Sequence, residues 1–212
     1  MQILNEHTPG SFVNHSKRED IQVCIITCSC HHMHSAIRLP RLTRGVVLRR
    51  LAISDLAAFQ GYRHDSVLGQ FQGWSATSDA DALSFLTKMS AAALLQPGTW
   101  SQLGIADATN QALIGDIGLF LASDSRHAEI GFTVQRESQG RGVATTAVRE
   151  AISLVFEHTT AEKVLGITDA RNQPSIRLLE RVGMRKTESR NATFRGEVCL
   201  EHVYTISRQH AG

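Results

Sequence analysis

The chain has no long hydrophobic run, no strong excess of charge and no disulfide framework. Each absence narrows what it can be. Its longest apolar stretch lies near residues 91–95, far short of the ~20 residues a membrane-spanning helix needs. A secretory signal needs an apolar core close to the start. The candidate at residues 21–26 sits deeper, follows Lys17-Arg18-Glu19-Asp20 and is interrupted by Cys24. The expectation is a cytoplasmic protein with no membrane partner. The formal net charge is +2 and no basic face is interleaved with aromatics, so no nucleic-acid partner is expected. Of four cysteines, Cys24, Cys28 and Cys30 crowd together and Cys199 stands alone, which is no disulfide scaffold.

What is present is the composition of a globular domain: 212 residues, 42% hydrophobic and 20% charged, enough to bury a core. Neither an internal repeat nor a dividing linker is visible. Residues 1–42 read as an N-terminal arm without sustained periodicity. From Thr43 to residue 212, short strands and helices alternate as in an α/β or α+β domain. Strands are expected at 46–50, 100–106, 113–121, 128–134, 163–168, 185–193 and 198–207. The polar turn 107–111 joins two of them into a hairpin. Ser54 and Ser78 are expected to cap two helices, the second burying Leu83, Leu86 and Met89 and ending at Gln96-Pro97-Gly98. Ala144, Ala147, Val148, Ala151, Ile152 and Val155 form the apolar stripe of the strongest helix. Pro174 suits the first turn of another, and Gly183 its end.

The segment Gln139-Gly140-Arg141-Gly142-Val143-Ala144 joins a strand to that strongest helix. A helix start leaves backbone N–H groups unpaired and carries partial positive charge. Glycines let a ligand approach the backbone, so the turn can take a phosphate or pyrophosphate, with Arg141 adding charge. No Gly-Lys-Ser/Thr follows, and the glycine spacing differs from a dinucleotide fingerprint.

With the preceding Glu129-Ile130-Gly131-Phe132-Thr133-Val134, this run resembles the acetyl-CoA-binding motif of the GNAT N-acetyltransferase superfamily. The family's Gln/Arg-x-x-Gly-x-Gly/Ala pattern falls on Gln139, Gly142 and Ala144. A later run, Asn172-Gln173-Pro174-Ser175-Ile176-Arg177-Leu178-Leu179-Glu180-Arg181-Val182-Gly183-Met184, is similar to the second family element. Val47-Leu48-Arg49-Arg50-Leu51, Leu113-Ile114-Gly115-Asp116-Ile117-Gly118, Ser175-Ile176-Arg177-Leu178-Leu179-Glu180 and Arg195-Gly196-Glu197 resemble the RimJ/RimL-like branch.

The resemblance implies a mixed α/β fold, a twisted sheet of about seven strands flanked by about four helices. Its fourth and fifth strands, 128–134 and 163–168, splay apart. Acetyl-CoA serves as co-substrate, and the acceptor is a primary amine, on a protein N-terminus or a small molecule. Pantetheine pairs with Phe132, Thr133 and Val134, pyrophosphate sits on Gln139, Gly140, Arg141, Gly142, Val143 and Ala144, and Asn172 reaches the cofactor arm. The chain is expected as a monomer or homodimer.

Direct transfer to an amine needs a proton acceptor, because a lysine-like amine is mostly protonated at neutral pH (pKa ~10.4). Glu129 is the candidate base, or else makes a cross-strand ion pair; Asp116 is the second candidate. A backbone N–H near Thr133 or Val134 can stabilise the oxyanion. Leu179 occupies the position where many members carry a tyrosine acid. Ser175 remains, as acid or as a helix-start hydrogen-bonding group, and so does Tyr204. A thiol of pKa ~8.5 can also leave unaided. Trp74 and Trp100 either line the cleft or pack in the core.

Cys28, Cys30, His31, His32 and His34 are metal-ligand types, but they lack the second cluster of a tetrahedral site, so no metal is expected. The alternative function is an acetyl-CoA-binding sensor or partner module without turnover. Residues 1–32 are expected to be mobile and dispensable, or an upstream mis-called start. Beginning at Met33 leaves 212 − 32 = 180 residues.

Overall fold

The structure is a computed structural model that describes residues 37–210. The Cys/His clump and the question of residues 1–32 lie outside the described residues. Strands β1 (Arg41–Thr43) and β2 (Val46–Arg50) lead into helices α1 (Leu56–Arg63), α2 (Ser66–Gly69) and α3 (Asp79–Ala91). Strands β3 (Trp100–Asp107), β4 (Leu113–Leu121) and β5 (His127–Val134) follow. Then come α4 (Val143–His158), β6 (Lys163–Asp169), α5 (Gln173–Arg181), β7 (Arg185–Phe194) and β8 (Glu197–Ser207). All eight strands share one sheet in the order β1-β2-β3-β4-β5-β6-β8-β7. Every neighbouring pair is antiparallel except β5–β6, which is parallel.

The local chemistry explains the boundaries. The β3–β4 turn closes because the Asp107 carboxylate accepts from Thr109 N at 2.8 Å and the Asp107 carbonyl from Gln111 N at 2.9 Å. Ser78 caps α3 by accepting from Asp81 N at 3.2 Å. Asp79 and Asp81 add negative charge to the first turn, where the helix dipole favours it. Asn172 caps α5, and Gly183 closes it at φ +95°, a left-handed conformation that favours glycine.

The predicted stripe of α4 is buried from Ala147 through Val148, Ala151 and Ile152 to Val155, with Leu154 added. It packs with α5 against one face of the sheet. Helices α1 and α3 cover part of the other face, where Phe59, Tyr62, Ala82, Leu86 and Met89 form a second cluster. Burying an aliphatic side chain of this size contributes roughly 1.5–3 kcal/mol, so these stripes hold both layers to the sheet.

Several expectations need correction. The described domain reaches back before Thr43: Ile37 and Leu39 pack on the core, and Arg41 in β1 binds Glu150 and Glu157 of α4. Ser54 does not cap α1. Its neighbour Asp55 precedes the helix, with its carboxylate turned back to Arg49 and Ala52 N. In α3 the buried line is Ala82, Leu86 and Met89, while Leu83 is an exposed rim residue. A four-then-three spacing keeps that line on one side of a 3.6-residue helix. The helix also ends earlier than Gln96, at Ala91.

Gly115 sets the β4–β5 spacing. A Cβ built there would lie 2.2 Å from the Thr133 carbonyl oxygen, a backbone atom that cannot swing aside. We expect Gly115→Ala to lower stability by about 1–3 kcal/mol or more through overpacking. Denaturant unfolding checks this; a midpoint equal to wild type would show that β5 moves freely.

Candidate active site

The parallel ladder between β5 and β6 is three pairs long: His127↔Lys163, Ala128↔Val164 and Glu129↔Leu165. Beyond Glu129 the strands separate while β5 stays paired to β4 up to Val134. The backbone along the gap therefore lacks a strand partner. Two side-chain amides take its carbonyls: Gln72 Nε2 donates to Phe132 O at 3.3 Å, and Gln139 Nε2 to Val134 O at 2.8 Å. Phe132 and Val134 thus face the gap. The Thr133 carbonyl points the other way, toward Gly115.

At the C-terminal end of β5 the chain turns through Gln139–Gly142 into α4. Gly140 and Gly142 hold φ +73° and +81°, and nothing lies within 4 Å of a Cβ built on either. Gly142 is the N-cap of α4, with no side-chain cap and no acidic residue in the first turn. The first N–H groups of the helix, from Val143 to Thr145, are left without intrahelical partners. Thr146 N is the first to find one, on Gly142 O at 3.0 Å. The loop is braced from outside. Arg136 pairs with Asp65, the cap of α2, and this guanidinium holds the Asp65 carboxyl well below the usual carboxylate range.

Three cavities meet at the gap. One of about 590 Å³ runs along Gly140, Gly142 and the start of α4 to Phe132, Asn172 and Ser175. A second, of about 370 Å³, continues from Phe132, Thr133, Asn172 and Ser175 to Asp116, Phe59 and Trp74. A third, of about 490 Å³, opens beyond Gly131 and Ile167 onto Glu129, Trp100 and Phe120. Phe71 borders all three.

The candidate residues distribute unevenly over this path. Phe132, Thr133, Val134, Gln139, Gly140, Gly142, Val143, Ala144 and Asn172 all border the first cavity; Arg141 is exposed beside it. Asn172 Oδ1 is engaged as a cap, accepting from Ser175 N at 3.3 Å. The Ser175 hydroxyl stands at the junction of two cavities with no hydrogen-bond partner among the described residues. Glu129 faces the third cavity at the last paired position of β5 and, among the described residues, makes neither an ion pair nor a side-chain hydrogen bond. Strand rise places it four residues, about 13 Å, from Thr133.

Asp116 is a different matter. It is 1% exposed, ion-paired with Arg63 and hydrogen-bonded by Gln102 Nε2 at 2.9 Å. Its Oδ2 is engaged by both the guanidinium and the amide, which places Asp116 in a buried charge pair on the wall of the second cavity. Tyr204 is buried and donates to Glu180 at 3.2 Å, away from these cavities. Leu179 packs on Gly166 and lines the second cavity with methyl groups.

The segment between α2 and α3 had no functional reading in the sequence, apart from Trp74. Phe71, Gln72 and Trp74 wall the second cavity. The Arg63 guanidinium is stacked between the Phe59 ring (4.7 Å) and the Trp74 ring (4.5 Å). Burial raises the neighbouring Tyr62 phenol well above its ordinary value. These residues carry no motif, because the contacts that unite them span elements far apart in sequence.

A parallel-paired, splayed sheet with a glycine turn at an uncapped helix start defines a class. The acetyltransferase (GNAT) domain family matches residues 46–185, and the chain belongs to this family. Among its relatives, the uncharacterized N-acetyltransferase YoaA of Bacillus subtilis (strain 168) is 28% identical over 68% of this chain and 81% of YoaA. A GNAT-family acetyltransferase from Bacillus anthracis superposes with TM-score 0.72 at 18% identity, covering 81% of this chain and 99% of its own. RimL, a ribosomal L7/L12 alpha-N-protein acetyltransferase solved with coenzyme A, gives TM-score 0.70 at 15% identity, covering 80% and 98%. At such identities the two structures show the shared fold alone.

The Arg63–Asp116 pair generates a prediction. Removing one partner of a buried pair leaves an uncompensated charge, so Asp116→Ala should cost about 3–5 kcal/mol. The double variant Arg63→Met/Asp116→Leu should regain most of that. Equilibrium unfolding decides it: a fully stable but inactive Asp116→Ala would keep Asp116 among the catalytic candidates.

Proposed function

We propose that this acetyltransferase moves the acetyl group of acetyl-CoA directly to a primary amine. The observation that carries the reading is the unpaired β5 edge leading from an uncapped helix start to an unpartnered carboxylate. The residues fit the co-substrate: the open space at Gly140 and Gly142 admits a pyrophosphate to the backbone, and the α4 N–H groups suit its charge. Acetyl-CoA supplies the acetyl group as a thioester.

In this reading Gln139–Ala144 hold the pyrophosphate. The gap-facing backbone of Phe132 and Val134 takes the pantetheine arm, through its N–H groups or by displacing the Gln72 and Gln139 amides from its carbonyls, and a backbone N–H of this stretch stabilises the oxyanion. Glu129 accepts the proton of the amine through water, since direct contact requires the amine to lie near Gly131. Ser175 supplies a hydrogen bond to the departing thiolate, or the thiolate leaves without one. Val47-Leu48-Arg49-Arg50-Leu51, Gly115-Asp116 and Arg195-Gly196-Glu197 support placement near the RimJ/RimL-like branch. Leu179 in place of a hydroxyl keeps the sensor alternative open to test.

Thiol detection of CoA released from acetyl-CoA across a panel of primary amines tests this reading. Amine-dependent release supports it; binding of acetyl-CoA without such release favours the sensor. Glu129→Gln should lower turnover by about 10²–10⁴-fold and leave acetyl-CoA binding intact. Near-wild-type turnover would place the base elsewhere. Gly142→Ala should fold at a cost of about 1–2 kcal/mol for its left-handed backbone, yet bind acetyl-CoA distinctly more weakly by calorimetry. Unchanged affinity would contradict the placement of the pyrophosphate.

A further inference from the structure

We propose that Arg195, in the β7–β8 turn, is a positioning residue for the acceptor: it holds the wall that the amine's carrier rests against. The proposal rests on the acetyl-transfer reading above. Arg195 sits at φ +52°, followed by Gly196 at +81°, so the turn projects from the end of the hairpin. Its Nη2 donates to Trp74 O at 2.6 Å and to Gln72 O at 3.1 Å, across more than 120 positions of sequence. Charge-assisted bonds to two main-chain carbonyls fix a loop backbone rather than a single side chain.

At Trp74 itself, among the described residues, the main-chain carbonyl is held by Arg195. Between α2 and α3, residues 70–78 carry no helix or strand ladder. The ends of this segment are tied by Gln72 N on Gly69 O at 3.1 Å and by Gln60 Nε2 on Thr77 O at 2.9 Å, and its middle by Gln72 Nε2 on the Phe132 carbonyl, Arg171 over the Phe71 ring and the Trp74 ring on the Arg63 guanidinium. The indole Nε1 of Trp74 is buried with no hydrogen-bond partner among the described residues, so no such bond from the ring fixes its rotation. Ring placement therefore depends on its packing against Arg63 and Gly69 and on where the main chain is pinned. A chain of contacts results. Arg195 fixes the Trp74 backbone, the Trp74 ring covers Arg63, and Arg63 pairs with Asp116 beneath the second cavity, which in this proposal takes the acceptor's carrier and which meets the third, with Glu129, at Gly131.

Releasing Arg195 lets Phe71, Gln72 and Trp74 drift from the cavity they border. Acceptor binding loses its wall, while the helix start and glycine turn that bind pyrophosphate stay in place. Lysine at 195 keeps a cation but not the planar fork, so it restores the contact only in part.

The test measures steady-state kinetics of full-length Arg195→Ala and Arg195→Lys with an amine the wild type acetylates. Arg195→Ala should raise the acceptor KM about tenfold or more, with kcat changed less, melting temperature retained and acetyl-CoA affinity changed less than KM. Arg195→Lys should fall between. Trp74→Leu alone should raise the acceptor KM too, and the double variant should be no worse than the stronger single one, because both act through one wall. In a Trp100→Phe background, Arg195→Ala should shift the emission of Trp74, which needs no turnover to observe. An unchanged KM, equal loss of stability and kcat, or additive effects in the double variant would overturn the role of Arg195. Wild-type protein that acetylates no amine would instead overturn the functional reading, whatever the Trp74 emission shows.

Discussion

The site depends on where one strand pair stops. A continuous sheet uses its backbone N–H and C=O groups in its own ladder. In this protein the β5–β6 ladder ends at Glu129↔Leu165, and the edge of β5 beyond it has no strand partner, with two of its carbonyls held only by the side chains of Gln72 and Gln139. Neighbouring packing keeps the gap open. Gly166 has no side chain, so Leu179 of α5 presses against β6 at a spot where a Cβ would lie 2.6 Å from its methyl. On the other side β5 is held to β4 by Gly115 meeting Thr133. Each strand is anchored to its own neighbour, and the two part.

Charged pairs then fix the pieces around that gap. Arg136 with Asp65 braces the glycine turn, and Arg63 with Asp116 ties α1 to the middle of the sheet. Such pairs add little stability when exposed, as Arg136 is, and are costly to break when buried. Their consequence is geometric: they set the distance between the helical layer and the strands, and with it the width of the cavities. Glu129 and Ser175 differ from these groups in having no such partner among the described residues, and in the proposed reading both serve the substrates.

Much of the fold was legible in the sequence, and for identifiable reasons. The α4 stripe, the β3–β4 turn at Asp107, the Ser78 cap and the Gly183 stop are local signals, and all four stand in the structure. The glycine turn was legible because its chemistry is written in consecutive residues. The partner of Asp116 was not legible, because a carboxylate near a cleft looks the same whether it is free or paired; only the fold brings Arg63 to it. Leu83 and Leu86 are alike in sequence, and the geometry of α3 against β3 decides which is buried. The wall of Phe71, Gln72 and Trp74 left no periodic trace, since a loop is positioned by what reaches it from elsewhere.

The central claim is that the free edge of β5 and the start of α4 together receive acetyl-CoA. Backbone amide hydrogen exchange, read residue by residue with and without acetyl-CoA, tests it most directly. The account predicts that added protection concentrates at Phe132–Val134 and at Gly140–Thr145, with the β3–β4 turn unchanged. Protection absent from both stretches while acetyl-CoA is bound would contradict it.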